Sequence, residues 1–329
     1  MNISRLFEEF KNRKVLVLGD TMLDAYFYGS VSRISPEAPV PIVNLKSKEK
    51  RLGGAANVAL NLKALGAEPY VVSIKGNDSD GNELKNLFKQ NNLSTDGLIN
   101  DYKRITTVKT RIIGNSHQLL RIDEEETQDI DTSLENLLVT TIENRIKNVD
   151  VLIFQDYNKG LLTNSLITRV IKLCKDNSVP IVVDPKFHNF LAYKGVTLFK
   201  PNKKELLQSE NIKTQIGLTA LLNVAESSRE KLNATKIMTT LSEDGVVIVN
   251  KTNSVHLPAH QRKIVDVSGA GDTVLSVAAL CVALNVSDEV TAALANLAGG
   301  IVCEHVGVVP IDRDQLFSEA TELTVGERY

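Results

Sequence analysis

The sequence predicts an α/β protein, a doubly wound, mostly parallel sheet with a small β-sheet lid, and three observations carry that prediction. Short β-branched runs alternate with longer stretches of helical periodicity. The strand candidates are apolar without alternation, which implies burial on both faces between layers of helices. Two segments, 25–52 and 104–122, break this rhythm with short alternating runs, and the first carries Pro36, Pro39 and Pro41.

Taken in chain order, the strand candidates are Val15–Leu18, Val71–Ile74, Val151–Phe154, Ile181–Val183, Thr197–Phe199 and Ile237–Thr239. Helical periodicity runs through 54–65, 132–147, 163–177 and 214–233, each with apolar residues gathered on one face. In 104–122, Ile105, Val108, Ile112, Leu119 and Ile122 are interleaved with polar residues, a pattern that suits half-exposed antiparallel strands. Both irregular segments interrupt the α/β order instead of flanking it. They are therefore placed together as a lid over the sheet's edge, about 25–52 and 104–122, whose closure would exclude water. Residues 1–329 are read as one unit, because the length suits either two domains or one large α/β body and no repeat or linker divides it.

Composition limits the function classes. An apolar share of 43% supplies a full interior, so disordered, collagenous and disulfide-stapled classes are excluded. With 38 Lys+Arg against 40 Asp+Glu, the net charge of -2 offers no global field for nucleic acid or an anionic membrane, and any anion site must be local. The three cysteines, Cys174, Cys281 and Cys303, lie far apart and read as buried thiols in a reducing, cytoplasmic setting. The start, MNISRLFEEFKNRK, has no apolar core of a signal peptide, and the apolar run from Val274 to Val286 is short of the ~20 residues needed to span a bilayer. The charged runs Lys46–Arg51 and Asp123–Glu126 read as solvated lid edges.

In open parallel sheets, ligands bind beyond the carboxyl ends of the strands. Polar residues close nearly every strand candidate here: Gly19-Asp20 with Asp24 close behind, Gln155-Asp156, Asp184-Pro185-Lys186, Lys200-Pro201-Asn202 and Thr240. Their recurrence points to a shared polar crevice. The sharpest local signal is Asp266-Val-Ser-Gly-Ala-Gly-Asp272-Thr273, which opens directly into an apolar helical run. Gly269 and Gly271 would let backbone N–H groups converge on an anion at a helix N-terminus, and Asp272 could accept the proton of an attacking hydroxyl. A plain glycine-rich cap would use the same residues.

Gly53-Gly54-Ala-Ala-Asn57 also opens a helix, and Asp20, Asp24 and Asn57 form a hydroxyl-binding set suited to a sugar. Arg33, Arg111, Arg121 and Lys186 add cations that a neutral sugar would not need, so a phosphorylated substrate is expected. Asn202 and Glu205 share a helix face and could hold Mg²⁺ through water, or could simply cap the helix. The histidines at 117, 188, 256, 260 and 305 lack metal-ligand spacing, and neither a Walker A motif nor a dinucleotide fingerprint is present.

Together, the glycine pair at 53–54, Asn-x-x-Glu at 202–205, the Thr240-to-Gly245 turn and DVSGAGDT at 266–273 resemble the ribokinase (PfkB) family of sugar kinases. The likeness covers nearly the whole chain in the same order. Within that family, GDTMLD at 19–24, RISPEAPVP at 33–41, GGAANVA at 53–59, TRIIGNSHQLLRID at 110–123, DYNKG at 156–160 and DPK at 184–186 look like the heptose 7-phosphate kinase branch. This resemblance implies an ATP- and Mg²⁺-dependent kinase acting on the anomeric hydroxyl of D-glycero-D-manno-heptose 7-phosphate, in lipopolysaccharide precursor synthesis. It leaves room for a monovalent cation.

By residue, the resemblance implies Asp272 as catalytic base and Gly269, Ala270 and Gly271 as the anion hole. It implies a sugar-phosphate set of Asp20, Asp24, Gly53, Gly54, Asn57, Arg111, Gln118, Arg121 and Lys186. Asn202 and Glu205 would lie near Mg-ATP, with Thr240, Ser242, Gly245 and Asn296 around the nucleotide. The sequence departs from the family pattern at Ser268, Gln155 and 303–309. Its end at Tyr329 leads us to expect a kinase without a second catalytic half, and the lid's exposed strand edges lead us to expect a homodimer. The sequence leaves two alternatives: another sugar or nucleoside kinase of the family, or a sugar-binding regulator without catalysis.

Overall fold

The computed structural model describes residues 2–214 and 216–326. The chain begins with α1 (Ile3–Phe10), β1 (Lys14–Gly19), the long strands β2 (Thr21–Ile34) and β3 (Pro41–Gly54), α2 (Ala55–Ala64), β4 (Glu68–Gly76), α3 (Ser79–Gln90) and β5 (Leu98–Asp101). The middle third holds β6 (Val108–Gly114), β7 (His117–Glu124), α4 (Thr132–Glu143), β8 (Val151–Gln155), α5 (Asn164–Asp176), β9 (Ile181–Asp184), β10 (Leu198–Phe199) and α6 (Lys203–Ser209). The last third holds α7 (Leu218–Leu232), β11 (Lys236–Thr240), β12 (Val246–Asn250), β13 (Ser254–Leu257), α8 (Ala270–Ala283), α9 (Asp288–Val302) and α10 (Arg313–Gly326).

Nine strands form the main sheet in the order β13-β12-β11-β10-β9-β8-β1-β4-β5. All neighbours pair in parallel except β11 with β12 and β12 with β13, which add an antiparallel edge. Alternation of side chains divides the interior into two cores. Val15, Val17, Val151, Ile153 and Val182 pack with α1, α2, α8 and α9, whereas Leu16, Leu18, Leu152, Phe154 and Val183 pack with α4, α5 and α7. This explains the unbroken apolar runs of the central strands.

The small helix α1 was not anticipated. It is amphipathic, with Ile3, Leu6, Phe7 and Phe10 buried, and the Asn2 side chain caps it by accepting from the Ser4 N–H at 2.9 Å.

The irregular segments form a second, four-stranded sheet, β3-β2-β6-β7. The strands cover 21–34, 41–54, 108–114 and 117–124, so residues 104–107 lie before the sheet and Asp123 and Glu124 belong to it. The antiparallel expectation holds for β2 with β3 and for β6 with β7, but β2 and β6 pair in parallel, Leu23 opposite Val108 through Gly29 opposite Gly114. The physical reason is their common root. The Leu23 N–H donates to the Thr107 carbonyl at 2.9 Å, and both strands leave the main sheet from the carboxyl ends of parallel strands, β1 and β5, in the same direction.

Register gives the second sheet two unlike faces. Asp24 lies opposite both Arg51 and Lys109, Tyr26 opposite Arg111, and Arg111 opposite Arg121, so these residues share one polar face. The other face carries Phe27, Ile112, Leu120 and Ile122, of which Leu120 and Ile122 are exposed.

Candidate active site

Helices α2 and α8 pack against each other, with the Ser276 hydroxyl donating to the Val58 carbonyl at 3.2 Å. Their amino ends meet. Asn57 Nδ2 donates to Asp272 Oδ2 at 2.7 Å. Behind this pair, buried Asn61 Oδ1 accepts from the Thr273 hydroxyl and from the Ile311 N–H, each at 3.0 Å, and fixes the two helices to the C-terminal loop.

Asp272 lies in the first turn of α8 with 5% of its surface exposed. Its Oδ1 accepts from Gln155 Nε2 at 2.9 Å and from the Tyr157 hydroxyl at 2.8 Å. Burial raises its pKa to about 6; Asp184 adds to the rise, while Asn57, Tyr157 and Lys200 oppose it. A carboxyl with a raised pKa that is still mostly ionised at neutral pH is suited to taking a proton from a hydroxyl.

Gly269 precedes α8 in the left-handed region, φ 81°, and no side chain caps the helix. A Cβ on Gly269 would lie 3.0 Å from Asn57 Nδ2, whereas one on Gly271 would meet nothing nearer than Lys200 Nζ at 3.9 Å. The loop before the helix is held by Asp266, whose carboxylate accepts from the Ser268 and Gly307 N–H groups at 2.9 and 2.8 Å. An uncapped helix start, bare of side chains and beside a lysine, is an anion receptor by its electrostatics.

The strand ends do converge. Gln155 ends β8 and bridges Asp272 to Asp184 of β9, with 3.4 Å to Asp184 Oδ2, and Lys200 after β10 pairs with Asp184 at 3.2 Å. Sequence reasoning placed Gln155, Asp184 and Lys200 in a polar crevice without giving them roles, and it missed Tyr157 and Asn61. The signal for Gln155 and Lys200 was a polar residue ending a wholly buried strand.

Of the expected sugar set, Asp24 is buried and pairs with Arg111 Nη1 at 2.6 Å. The glycines beside it make room for protein: a Cβ on Gly53 would strike Asp24 Oδ2 at 2.1 Å, and one on Gly54, φ 61°, the Asp20 carbonyl at 2.3 Å. Asp20 Oδ2 accepts from the N–H groups of Tyr157 and Lys159 at 2.9 and 3.3 Å, so it pins the 156–160 turn. Burial, then the nearby Asp156, pushes its pKa up to about 7. Asp20 also lines a small cavity with Lys75, Arg104, Thr106 and Lys159.

Three members of that set stand differently from expectation. Lys186 joins Glu205, 2.6 Å away, on the side assigned to the nucleotide. Burial disfavours its charge, but Asp184 and Glu205 outweigh burial and raise its pKa. Gln118 and Arg121 are exposed on β7, and Arg121 is turned onto Asp123 at 2.9 and 3.1 Å. The register puts Arg121 on the face of Asp24 and Arg111, but without contact to them. Arg33 is exposed at the far end of β2.

The charged runs are exposed at 46–50 and 123–124, as expected of lid edges, and partly covered at Arg51, Glu125 and Glu126. Arg51 Nη1 donates to the Val306 and Val308 carbonyls at 3.3 and 3.1 Å, and Lys109 draws in both Asp123 and Glu125, at 3.0 and 3.2 Å.

Asn202 and Glu205 form a capping box on α6: Asn202 Oδ1 accepts from the Glu205 N–H at 2.8 Å, and Glu205 Oε2 from the Asn202 N–H at 2.9 Å. Each Glu205 oxygen thus holds one donor and keeps a lone pair. Among the described residues, no group of three or more His, Cys, Asp or Glu could hold a metal ion directly. Thr240 bridges to Asn202, Ser242 is exposed with φ 57°, and Gly245 is buried with φ 87°. A Cβ on Gly245 would lie 2.6 Å from the Pro258 carbon, and Asn296 Nδ2 donates to the Pro258 carbonyl at 2.8 Å. The turn and Asn296 therefore abut one segment, although the Asn296 amide is already engaged. A second pocket lies at the opposite end of β11, beside Lys236, Asn250 and Asp288, whose polar groups satisfy one another.

A buried carboxylate at an uncapped helix start, where polar strand ends converge, suits phosphoryl transfer. The chain belongs to the pfkB family of carbohydrate kinases, whose family model matches residues 12–314. It is similar to the bifunctional protein HldE of Desulfatibacillum aliphaticivorans, 41% identical over 308 residues, which are 93% of this chain and 63% of that protein. HldE of Syntrophotalea carbinolica is 38% identical over 316 residues, 96% of this chain and 64% of its own length. The chain thus spans just under two thirds of the length of these relatives.

In fold it is similar to phosphofructokinase-2 from Escherichia coli in complex with potassium, with a TM-score of 0.78 and 18% identity over 95% of this chain and 99% of that one. Arabidopsis thaliana ribokinase complexed with ribose and ATP gives a TM-score of 0.70 and 15% identity over 93% and 99% of the two chains.

Proposed function

We propose that the chain transfers the γ-phosphoryl group of ATP to the anomeric hydroxyl of D-glycero-D-manno-heptose 7-phosphate, giving the 1,7-bisphosphate for lipopolysaccharide precursor synthesis. The observation that carries the kinase reading is buried Asp272 in the first turn of the uncapped helix α8, with its carboxyl titrating near neutrality. The heptose reading rests on the RISPEAPVP and DYNKG motifs and on the relatives named HldE.

In this reading Asp272 takes the hydroxyl proton, and the amides of Gly269, Ala270 and Gly271 stabilise charge on the transferred group. Asp24, Asn57 and Arg111 orient the acceptor, Asp20 shapes its floor, and the cations of the second sheet's polar face attract its phosphate. Thr240, Gly245 and Asn296 border the nucleotide. Magnesium, when bound, would neutralise charge on the phosphate oxygens. The free lone pairs of Glu205 suit the waters of a hydrated ion, and Asn202 keeps that carboxylate in place. Lys186 is transferred in this reading from the sugar to the nucleotide side. A monovalent cation enters only by analogy with the potassium complex of phosphofructokinase-2.

The second sheet acts as a lid that keeps water, the competing acceptor, from the phosphoryl group. Its apolar face, with Leu120 and Ile122 exposed, supports pairing of two copies as a homodimer. No helix of the described residues is long and apolar enough to cross a membrane, and a cytoplasmic setting accords with the three buried free cysteines.

Nucleotide consumption measured with heptose 7-phosphate, unphosphorylated heptose, fructose 6-phosphate, ribose and a nucleoside tests the assignment. The expected result is the highest kcat/KM for heptose 7-phosphate. Preference for an unphosphorylated sugar would overturn the substrate. Ligand-induced stabilisation without ADP formation would overturn catalysis itself.

A further inference from the structure

Asp272 carries three hydrogen-bond donors, and their distribution between its oxygens is uneven. Gln155 and Tyr157 both donate to Oδ1, which uses both lone pairs of that atom. Asn57 alone donates to Oδ2, which keeps one. We propose that Gln155 and Tyr157 are positioning residues that saturate Oδ1 from the sheet side and reserve Oδ2 as the oxygen that takes the acceptor's proton. The inference rests on Asp272 being the base.

The geometry of each donor supports this. Gln155 is fully buried, and its amide nitrogen faces two carboxylates, Asp272 and Asp184. That double contact fixes the amide's orientation, because a flipped carbonyl would meet two anions, and Gln155 Oε1 is left buried without a partner. Tyr157 is anchored at both ends: its N–H is held by Asp20 and its hydroxyl points to Asp272. The one free lone pair lies on the Asn57 side, next to Gly269 and the bare start of α8.

In the step itself, the acceptor O–H bond breaks, its proton passes to Oδ2, and its electron pair forms the new O–P bond. The bond from the γ-phosphorus to the bridging oxygen breaks, and ADP leaves with that pair. Donors on Oδ1 favour the ionised base, so their removal raises its pKa. The groups facing Asp272 that set the same equilibrium are Asp184 on β9, Lys186 beyond it, Lys200 after β10 and Tyr157 after β8. From α2 it meets the neutral Asn57.

The test is the pH profile of kcat in the whole chain for wild type, Tyr157→Phe and Gln155→Leu, with thermal melting alongside. In Tyr157→Phe the acidic limb should move up by about one pH unit, with the plateau at high pH within about threefold of wild type. Gln155→Leu should shift the limb in the same direction, and Gln155→Glu further still. An unmoved limb in Tyr157→Phe, whether kcat is unchanged or falls equally at all pH values, overturns the inference. Because Phe keeps the ring, that result does not depend on Gln155→Leu folding. Normal turnover by Asp272→Asn would instead remove the base, a separate outcome from a separate variant.

Discussion

Asn57 and Asp272 are 215 positions apart and joined by a 2.7 Å hydrogen bond between two helix starts. The bond ties the glycine-initiated helix α2 to the glycine-initiated helix α8, so one contact sets the distance between the acceptor side and the base. Asn57→Leu removes the donor from Oδ2 and leaves the packing volume nearly unchanged. We expect kcat to fall by about tenfold or more while the nucleotide KM stays within about twofold, since the lost bond matters where the proton moves. Steady-state kinetics with each substrate varied in turn checks this; an equal loss in both KM values and none in kcat would contradict it.

Asp272 also sets a stability cost. Its folded pKa of about 6 lies above the ordinary carboxylate value, so between those two values the native state holds a proton that the unfolded chain has lost. Stability from this group therefore declines as pH rises through that window and is lowest above it. Asp272→Asn should be more stable than wild type at pH 8, by on the order of 2 kcal/mol, and the difference should be roughly halved at pH 5, closing only below the ordinary carboxylate value. Activity should drop by orders of magnitude in the same variant. Melting curves at the two pH values decide it, and a variant less stable than wild type at pH 8 would contradict the sign.

Gly269 and Gly271 make opposite predictions. Gly269→Ala forces a side chain into φ 81° and against Asn57, so it should cost about 1–2 kcal/mol of stability as well as activity. At 271 the protein offers open space and a helical backbone, where alanine is the better residue by up to about 1 kcal/mol. Nothing in the protein itself calls for glycine there. If the bare backbone receives a phosphoryl group, Gly271→Ala should be as stable as wild type or more so, yet severely slowed. Unchanged turnover in a stable Gly271→Ala would remove the anion receptor from position 271.

The parallel sheet and the site at its carboxyl ends were legible because both depend on local patterns: unbroken apolar runs, each closed by a polar residue, and glycines at a helix start. The features that were not legible depend on chain-distant choices. The parallel pairing of β2 with β6 comes from where β6 is rooted, which no periodicity records. Lys186 belongs with Glu205 because two oppositely charged groups meet across α6 and the loop after β9. Sequence gives its charge and not its partner. Tyr157 entered only as a letter of DYNKG at 156–160, since only the position of Asp20 aims its hydroxyl at Asp272. The glycine pair at 53–54 was legible as a helix start in the sugar set, but the atoms that crowd it are those of Asp24 and Asp20.

Glu205 separates a helix cap from a nucleotide site. As a cap, its Oε2 accepts from the Asn202 N–H, and glutamine can replace it, because an amide oxygen serves the same bond. As an anion, it neutralises Lys186 and can receive hydrogen bonds from waters of a hydrated divalent ion, and glutamine loses both effects. Glu205→Gln should therefore melt within a few degrees of wild type, because the amide oxygen keeps the cap and Lys186 keeps the charge of Asp184 beside it. Its Mg²⁺ requirement should rise by about tenfold, with the acceptor KM unchanged. Magnesium titrations at fixed, saturating ATP and acceptor read this directly. A variant that melts near wild type and keeps the wild-type magnesium requirement would make Glu205 a cap and nothing more.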